Sequence, residues 1–392
     1  MIGVSKLLVD KEEPSDALRY GRGDHPAETP SSRNRPIVVY NCVQRCNLRC
    51  IHCYAQSGRE ESADLLTTEQ AKAMIDSCAE FGCPVMLFSG GEPLLREDLF
   101  DLVRHARERG MGVTLSTNGT LITSEAAEAL KSSRVNYVGV SLDGMEKTHD
   151  RFRRVQGSWK KALEGIENCK KAGLRTGLRI TLTRYNFQEV GEIFDLLVEA
   201  EIDRVCFYHL VYTGRAAEMM KDDLSPSQTR ETMNLIIEKT LELHERGFPK
   251  EVLTVDNHAD GPYLWLWAQK NRPELAPRLL AMIKKNQAKS TGEGIACVSW
   301  NGEVTPDQFW RDKVLGNVRK QSFEQIWMNP ENSFLRNLRR REELVKGRCS
   351  RCRFLGLCRG GFRARAEAAF GDMWAEDPAC YLTEAEIEGE PL

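Results

Sequence analysis

The sequence predicts an α/β fold, a partial (β/α)6 TIM-like barrel followed by a small C-terminal domain that depends on metal. Three observations lead there. From about residue 36 short apolar runs alternate with amphipathic helical patterns, the rhythm of a parallel sheet. Six such units are too few to close a barrel of eight, and a right-handed series of this kind curves into an open one. Of the 13 cysteines, most crowd between Cys42 and Cys53 and between Cys349 and Cys380. In a reducing compartment such crowding points to metal rather than to disulfides.

Residues 1–35, rich in Pro, Ser and Gly, read as an irregular arm. The barrel segment, 36–215, carries the strand candidates "PIVVYNCV", "PVMLFSG", "GVTLSTNG", "VNYVGVSLDG", "RTGLRITLT" and "RVCFYHLV". Helical patterns follow most of them: "TTEQAKAMIDSCAEFG" has Thr68 as cap and Gly82 as stop, and "REDLFDLVRHARERG" ends at Gly110. Residues 216–290 read as a helical linker and substrate-side segment. They hold the long amphipathic "SPSQTRETMNLIIEKTLELHERG", a strand and loop in "VLTVDNHADG", and further helix from "PYLWLWAQKN" on. The last segment, 291–392, is loop-rich and opens with a hairpin, "IACVSWNGEVTPDQFW", turning at Asn301-Gly302.

Composition excludes several classes of function. With 55 Lys and Arg against 57 Asp and Glu, no global field draws the protein to nucleic acid or to an anionic membrane. The opening "MIGVSKLLVDKEEP" is charged too soon for a signal peptide, and no apolar stretch approaches the roughly 18 residues of a membrane span. A cytoplasmic protein is expected. Cys78, Cys83, Cys169 and Cys206 sit in apolar contexts and read as small core residues.

Cys46, Cys50 and Cys53 form CxxxCxxC on the loop leaving the first strand. Three thiolates converging there hold three irons of a four-iron cubane and leave one open, as a catalyst needs. Cys42 is in phase with Val38 and Tyr40 and belongs to the core. A zinc site is the alternative, and no fourth ligand at suitable spacing lies nearby. Every unusual motif falls just after a strand, where such folds place their chemistry: "SGGEP", "STNG" and "VSLDG" follow the second, third and fourth.

Taken together and in order, CxxxCxxC ending in "IHCY", then "SGGEP", "STNG" and "VSLDG", resemble the radical S-adenosylmethionine enzymes over residues 36 to about 210. The resemblance implies that Cys46, Cys50 and Cys53 carry a catalytic 4Fe-4S cluster. Its open iron would chelate S-adenosylmethionine, and one electron would then yield a 5'-deoxyadenosyl radical. It places Tyr54, Gly90, Gly91, Glu92, Ser116, Asn118, Ser141, Asp143 and Arg153 around that cofactor. Glu92 and the "GGEP" main chain would meet the amino group, the small polar residues the ribose, and Arg153 the methionyl carboxylate by a forked pair. Cys349, Cys352 and Cys358, with Cys380 after a further helix, and "LGNVRKQSFEQIW" resemble the auxiliary-cluster (SPASM-like) domain of that family. Four thiolates ligate a whole cubane, which suits electron transfer or structure; a four-cysteine zinc ribbon is the alternative.

The whole-chain pattern, with "EPSDALRYGR", "FYHLVYTGRA", "TVDNHADG" and "GEVTPDQFW", resembles the haem-pathway branch of the family. That implies an iron tetrapyrrole substrate, a low-potential electron donor, and removal of acetate side chains from 12,18-didecarboxysiroheme to give iron-coproporphyrin III. Two alternatives stay open: haem d1 synthesis, acting on propionates of the same macrocycle, and peptide modification. Tyr208, His209, Tyr212 and Arg215 after the sixth strand, with His258 on a later loop, would supply aromatic walls, cations and an axial histidine.

Overall fold

The computed structural model describes residues 1–20, 35–286 and 288–392. Among them one sheet of eleven strands runs through the molecule. In chain order the strands are β1 (Ile2–Gly3), β2 (Ile37–Asn41), β3 (Val85–Ser89), β4 (Gly112–Thr117), β5 (Tyr137–Ser141), β6 (Thr176–Leu182), β7 (Arg204–His209), β8 (Glu251–Val255), β9 (Ile295–Val298), β10 (Glu303–Thr305) and β11 (Gly316–Asn317). They lie in the order β1-β8-β7-β6-β5-β4-β3-β2-β9-β10-β11.

All six expected strands form, as β2 to β7, each parallel to the next. The parallel run goes beyond them at both sides, to β8 beside β7 and to β9 beside β2. The segment 216–290 therefore contributes to the sheet, and is not only a linker. The expected hairpin is β9 and β10, antiparallel, and its first strand joins the second domain to the barrel edge.

The arm differs more. Residues 1–20 are ordered: β1 pairs with β8, and short helices span Val4–Val9 and Asp16–Tyr20. Ile2, Val4, Leu7 and Leu8 are buried in the main core, and a buried carboxylate adds a polar tie. Glu251, 1 % exposed at the start of β8, accepts hydrogen bonds from Ser15 Oγ at 3.0 Å, Arg19 Nη2 at 2.7 Å and Arg175 Nη2 at 2.8 Å, and pairs with Arg204. An unpaired charge there would be costly, so the N-terminal residues that satisfy it are fixed in place. The rest of that arm, residues 21–34, lies outside the described residues.

Helices end as their sequences direct, with one shift. Thr67, not Thr68, caps the helix Thr68–Phe81: its side chain accepts from Gln70 N while Gln70 answers its backbone, and Gly82 ends the helix at φ 88°. The long helix Pro226–Glu245 starts in the same way at Ser225. Cys42, Cys78, Cys83, Cys169 and Cys206 are buried among apolar side chains. No helix among the described residues is long and apolar enough to cross a membrane.

Candidate functional site

Residues from β2 (Val39), β3 (Leu87, Ser89), β4 (Ser116), β5 (Ser141), β6 (Arg179, Thr181) and β7 (Tyr208, His209), with Asp256 after β8, line one cavity of about 1110 Å3 including its mouth. A flat sheet could not bring all of these strands to one space, so the sheet curves around it.

The cysteine loop closes one side. Cys46, Cys50 and Cys53 all line the cavity, and Cys42 does not. Each cysteine's stretch is held by backbone bonds: Cys46 N–H donates to Gly58 O at 2.6 Å, Ile51 N–H to Phe152 O at 2.9 Å, and Arg215 N–H to Cys53 O at 3.0 Å. Donors also face the sulfurs. Leu48 N–H lies 3.4 Å from Cys46 Sγ, and Arg153 Nη1 lies 3.3 Å from Cys50 Sγ. Burial pushes the Cys46 thiol up to about 12 and raises Cys50, so as thiols they stay protonated. Bound iron reverses that preference.

Gly90 and Gly91 line the cavity, but the structure gives them a further reason to be glycine. A Cβ on Gly90 would overlap Val43 O, and one on Gly91 would overlap Arg45 O and crowd Gln44 O. The "SGGEP" turn is thus packed against the backbone of the cysteine loop, with Gly91 N–H on Val43 O at 2.7 Å and Glu92 N–H on Arg45 O at 2.9 Å. Glu92 does not line the cavity. It is fully buried behind it, accepting from the Thr117 hydroxyl at 2.7 Å, Asn118 N–H at 2.8 Å and Leu94 N–H at 3.3 Å.

The other expected contacts come together. Tyr54, Ser116, Asn118, Ser141, Asp143 and Arg153 share the cavity wall with the three cysteines. Tyr54 donates to Asn41 Oδ1 at 2.9 Å, and Asn118 Nδ2 donates to Asn47 Oδ1 at 2.8 Å. Arg153 pairs with Asp143, whose Oδ2 also lies 3.3 Å from His52 Nε2. Burial pushes the Asp143 carboxyl up, and Arg153 with His52 more than offsets this, holding it below its ordinary value. The forked face of Arg153 is consequently shared between a carboxylate and a cysteine sulfur.

Of the expected substrate residues, Tyr208, His209 and Arg215 line the cavity. His209 Nε2 lies 3.1 Å from Asp260 Oδ2, whose other oxygen accepts from Tyr381 OH at 2.7 Å. Tyr212 and His258 lie elsewhere. Tyr212 packs with Phe152 and Met219 and donates to Asp223 at 2.6 Å. His258 Nδ1 lies 3.1 Å from Cys358 O, and burial lowers its pKa to about 3, so it is a neutral ring under the second domain.

Several polar atoms of this cavity are buried without a partner: His52 Nδ1, Ser57 Oγ, Arg153 Nε, Arg215 Nη2 and Gln308 Oε1. Buried groups are seldom left so, and here they mark where a polar ligand would sit. His52 and Arg179 escaped the sequence reading. His52 stands between two cysteines in "IHCY", a position that already tied it to the loop. For Arg179 the signal was the stripe Gly177, Arg179, Thr181, one polar face in a strand whose other face is Leu178, Ile180, Leu182.

A second, smaller cavity of about 400 Å3 is bounded by Cys349, Cys352, Cys358 and Cys380 together, with Arg348 and Asp377 on its wall. Four thiols around one largely apolar space fit a four-iron cluster. Among the described residues no three His, Cys, Asp or Glu side chains are spaced to hold a single ion. Buried Arg365 joins the two cavities: it pairs with Asp377 at 2.8 Å and donates to Leu210 O at 3.0 Å and Asp256 O at 2.8 Å.

Comparison with known proteins accords with both cavities. Residues 40–197 match the radical SAM superfamily, and residues 290–353 match an iron-sulfur cluster-binding domain. The chain is 50% identical to Fe-coproporphyrin III synthase of Methanosarcina barkeri, over 99% of each protein. It is 39% identical to pre-heme d1 synthase of Dinoroseobacter shibae, over 92% of this chain and 90% of that one. Among solved structures, anSMEcpe with bound AdoMet superposes with a TM-score of 0.68 at 19% identity, covering 88% of this chain and 93% of that one. Streptococcus suis SuiB bound to S-adenosylmethionine gives 0.69 at 17%, covering 89% and 78%. At those identities the structural likeness speaks to fold alone.

Proposed function

We propose, from the premise that the chain belongs to the radical SAM superfamily, that this enzyme removes acetate side chains from 12,18-didecarboxysiroheme to give iron-coproporphyrin III. The observation that carries the reading is the 50% identity to an Fe-coproporphyrin III synthase across 99% of both chains.

Cys46, Cys50 and Cys53 would hold three irons of a 4Fe-4S cluster, leaving the fourth for S-adenosylmethionine. Bound there, the pair supplies a carbon radical able to take hydrogen from an unactivated side chain, a step beyond acid and base chemistry. The protein's own part is placement. The Leu48 and Arg153 donors orient density on the sulfurs, and Ser116, Asn118 and Ser141 offer hydroxyl and amide partners to a ribose. Arg153, fixed by Asp143, offers its unpartnered Nε side to a carboxylate. The Gly90 and Gly91 main chain faces the cavity, and Glu92 supports that turn from behind. Tyr208 and His209 form the wall left for a macrocycle. Cys349, Cys352, Cys358 and Cys380 would hold one auxiliary 4Fe-4S cluster, and a low-potential donor in the cytoplasm would supply electrons.

A second reading is kept by the 39% identity to a pre-heme d1 synthase: the same machinery acting on propionates. Anaerobic, reduced protein given S-adenosylmethionine and 12,18-didecarboxysiroheme separates the two by product mass. Loss of both acetate groups with release of 5'-deoxyadenosine is expected. Retained acetates with altered propionates would establish the second reading, and an unchanged tetrapyrrole beside active cleavage of S-adenosylmethionine would overturn both.

A further inference from the structure

Arg179 is a cation the fold accommodates but does not pair. It lies in β6 between Gly177 and Thr181, on the face that lines the main cavity. Its guanidinium sits 4.6 Å from the centre of the Tyr208 ring on the neighbouring strand. The other two arginines of the cavity are engaged, Arg153 by Asp143 and Arg215 by the carbonyls of Cys50 and Ser57. Among the described residues no carboxylate stands within ion-pair distance of Arg179. Asp256, also on the cavity wall, feels its charge without touching it.

Space has been made for this side chain. A Cβ on Gly139, in adjacent β5, would stand 2.8 Å from Arg179 Cδ. Gly139 is in register with Gly177, so two glycines face each other where a buried parallel sheet ordinarily carries Val or Ile. The Arg179 stem fills the space over Gly139, and the Tyr137 hydroxyl with Arg204 fills that over Gly177. A guanidinium cannot shed its charge, and holding it in a cavity without a counter-ion is unfavourable. An anion in the cavity would give this charge the partner that the protein does not supply at bonding distance. S-adenosylmethionine brings one carboxylate, and Arg153, bonded to Cys50, stands on the cysteine side for it. Arg179 lies one strand beyond Ser141, towards the aromatic wall of β7.

We infer that Arg179, seated on Tyr208 and given room by Gly139, binds a carboxylate side chain of the tetrapyrrole. The inference rests on the substrate reading above. It assigns the cavity two anion sites, one for each partner of the reaction, and makes the β6 arginine the residue that sets how the macrocycle is turned towards the radical.

The test is a binding titration on anaerobic holoenzyme, read from the visible absorption of 12,18-didecarboxysiroheme, with S-adenosylmethionine affinity measured separately by dialysis. Arg179→Gln should weaken the tetrapyrrole about tenfold or more, the loss expected for a charge-assisted bond, and S-adenosylmethionine much less. Arg179→Lys should recover part of it, since an ammonium keeps the charge but not the fork. Gly139→Ala should also weaken the tetrapyrrole, with every charge retained. Equal tetrapyrrole affinity in wild type and Arg179→Gln overturns the inference and leaves the substrate reading standing. A larger loss of S-adenosylmethionine than of tetrapyrrole also overturns it and moves Arg179 to the cofactor. Wild-type protein that does not bind the tetrapyrrole overturns the substrate reading and the inference together. Were the Gln variant not to fold, Gly139→Ala with wild-type tetrapyrrole affinity would be enough to overturn it.

Discussion

Arg215 Nε donates to the carbonyl oxygen of Cys50 at 2.7 Å, tying the segment after β7 to the middle of the cysteine loop. Its Nη1 reaches Ser57 O at 3.0 Å and its backbone N–H reaches Cys53 O at 3.0 Å. Neighbouring Gly214, at φ 60°, has no room for a Cβ against Cys53 and Tyr54. The cation that the sequence offers to the substrate is thus first a clamp on the loop.

Arg215→Ala should therefore lower iron at the first site and 5'-deoxyadenosine formation together, while iron at the second site stays. Two charge-assisted bonds of about 1.5–3 kcal/mol each are lost. Iron per chain and turnover of S-adenosylmethionine check this. Wild-type iron with weakened tetrapyrrole affinity alone would return Arg215 to the substrate.

Gly91→Ala should be among the most damaging single changes. The new methyl would overlap the Arg45 carbonyl, a backbone atom that cannot swing aside, and Gly91's own N–H is bonded to Val43 O. Overpacking of this kind costs about 1–3 kcal/mol or more. The expected result is a lower melting temperature and poor iron incorporation, even though Gly91 offers no side chain to any ligand. A variant with wild-type iron and melting temperature would show that the turn can move off the loop.

What the sequence made legible was local and periodic. The strand-helix rhythm placed β2 to β7, and the cysteine spacings marked two sites whose members do line common cavities. What it hid depends on contacts between distant residues. The irregular composition of the N-terminal arm gave no sign that Ser15 and Arg19 would be fixed by Glu251, 236 and 232 residues away. Likewise His258 and Tyr212 carry suitable chemistry, but only tertiary packing decides that one rests on Cys358 and the other on Asp223. The glycines of "SGGEP" were recognisable as close-approach positions; what they approach, the loop backbone, was not.

Stability should depend on pH through Glu92. Burial pushes its carboxyl up to about 7, against three donors that pull it down, from an ordinary value of 4.5. The folded state thus holds this proton more tightly than the unfolded chain. Its stabilising contribution is fully present below about pH 4.5 and is lost as pH rises through about 7, a change of about 3 kcal/mol. Glu92→Gln, which does not titrate, should remove that slope between pH 4.5 and 7. Below about pH 4.5 it should cost about 1–3 kcal/mol, because an amide cannot accept from every donor that the carboxyl serves. Melting temperatures of the anaerobic protein across this range give the comparison, and equal slopes would mean that Glu92 is charged in the folded state.

The C-terminal domain should carry one auxiliary cluster and not two. The family resemblance implies that a second auxiliary cluster would take a cysteine on the hairpin and another shortly after the Cys349, Cys352, Cys358 group; here those places hold Asp307 and Phe362. Asp307 has no free oxygen to give: Oδ2 accepts from the Thr291 hydroxyl, and Oδ1 from Phe309 N–H at 2.8 Å and Trp310 N–H at 3.0 Å. Phe362 packs edge-on to Phe309 with ring centres 5.5 Å apart. Cys297, in β9 of the hairpin, is fully buried and accepts from Asn41 Nδ2 at 3.4 Å. One thiol among satisfied neighbours cannot hold a cubane, whereas the cavity shared by Cys349, Cys352, Cys358 and Cys380 has all four. Anaerobically reconstituted protein should contain about eight irons per chain as two four-iron clusters. Replacing Cys349 and Cys352 with Ala should bring that to about four and leave a cluster whose spectrum still responds to S-adenosylmethionine. About twelve irons per chain would restore a second auxiliary cluster, and stoichiometric zinc lost with Cys349 and Cys352 would make the second site a zinc ribbon.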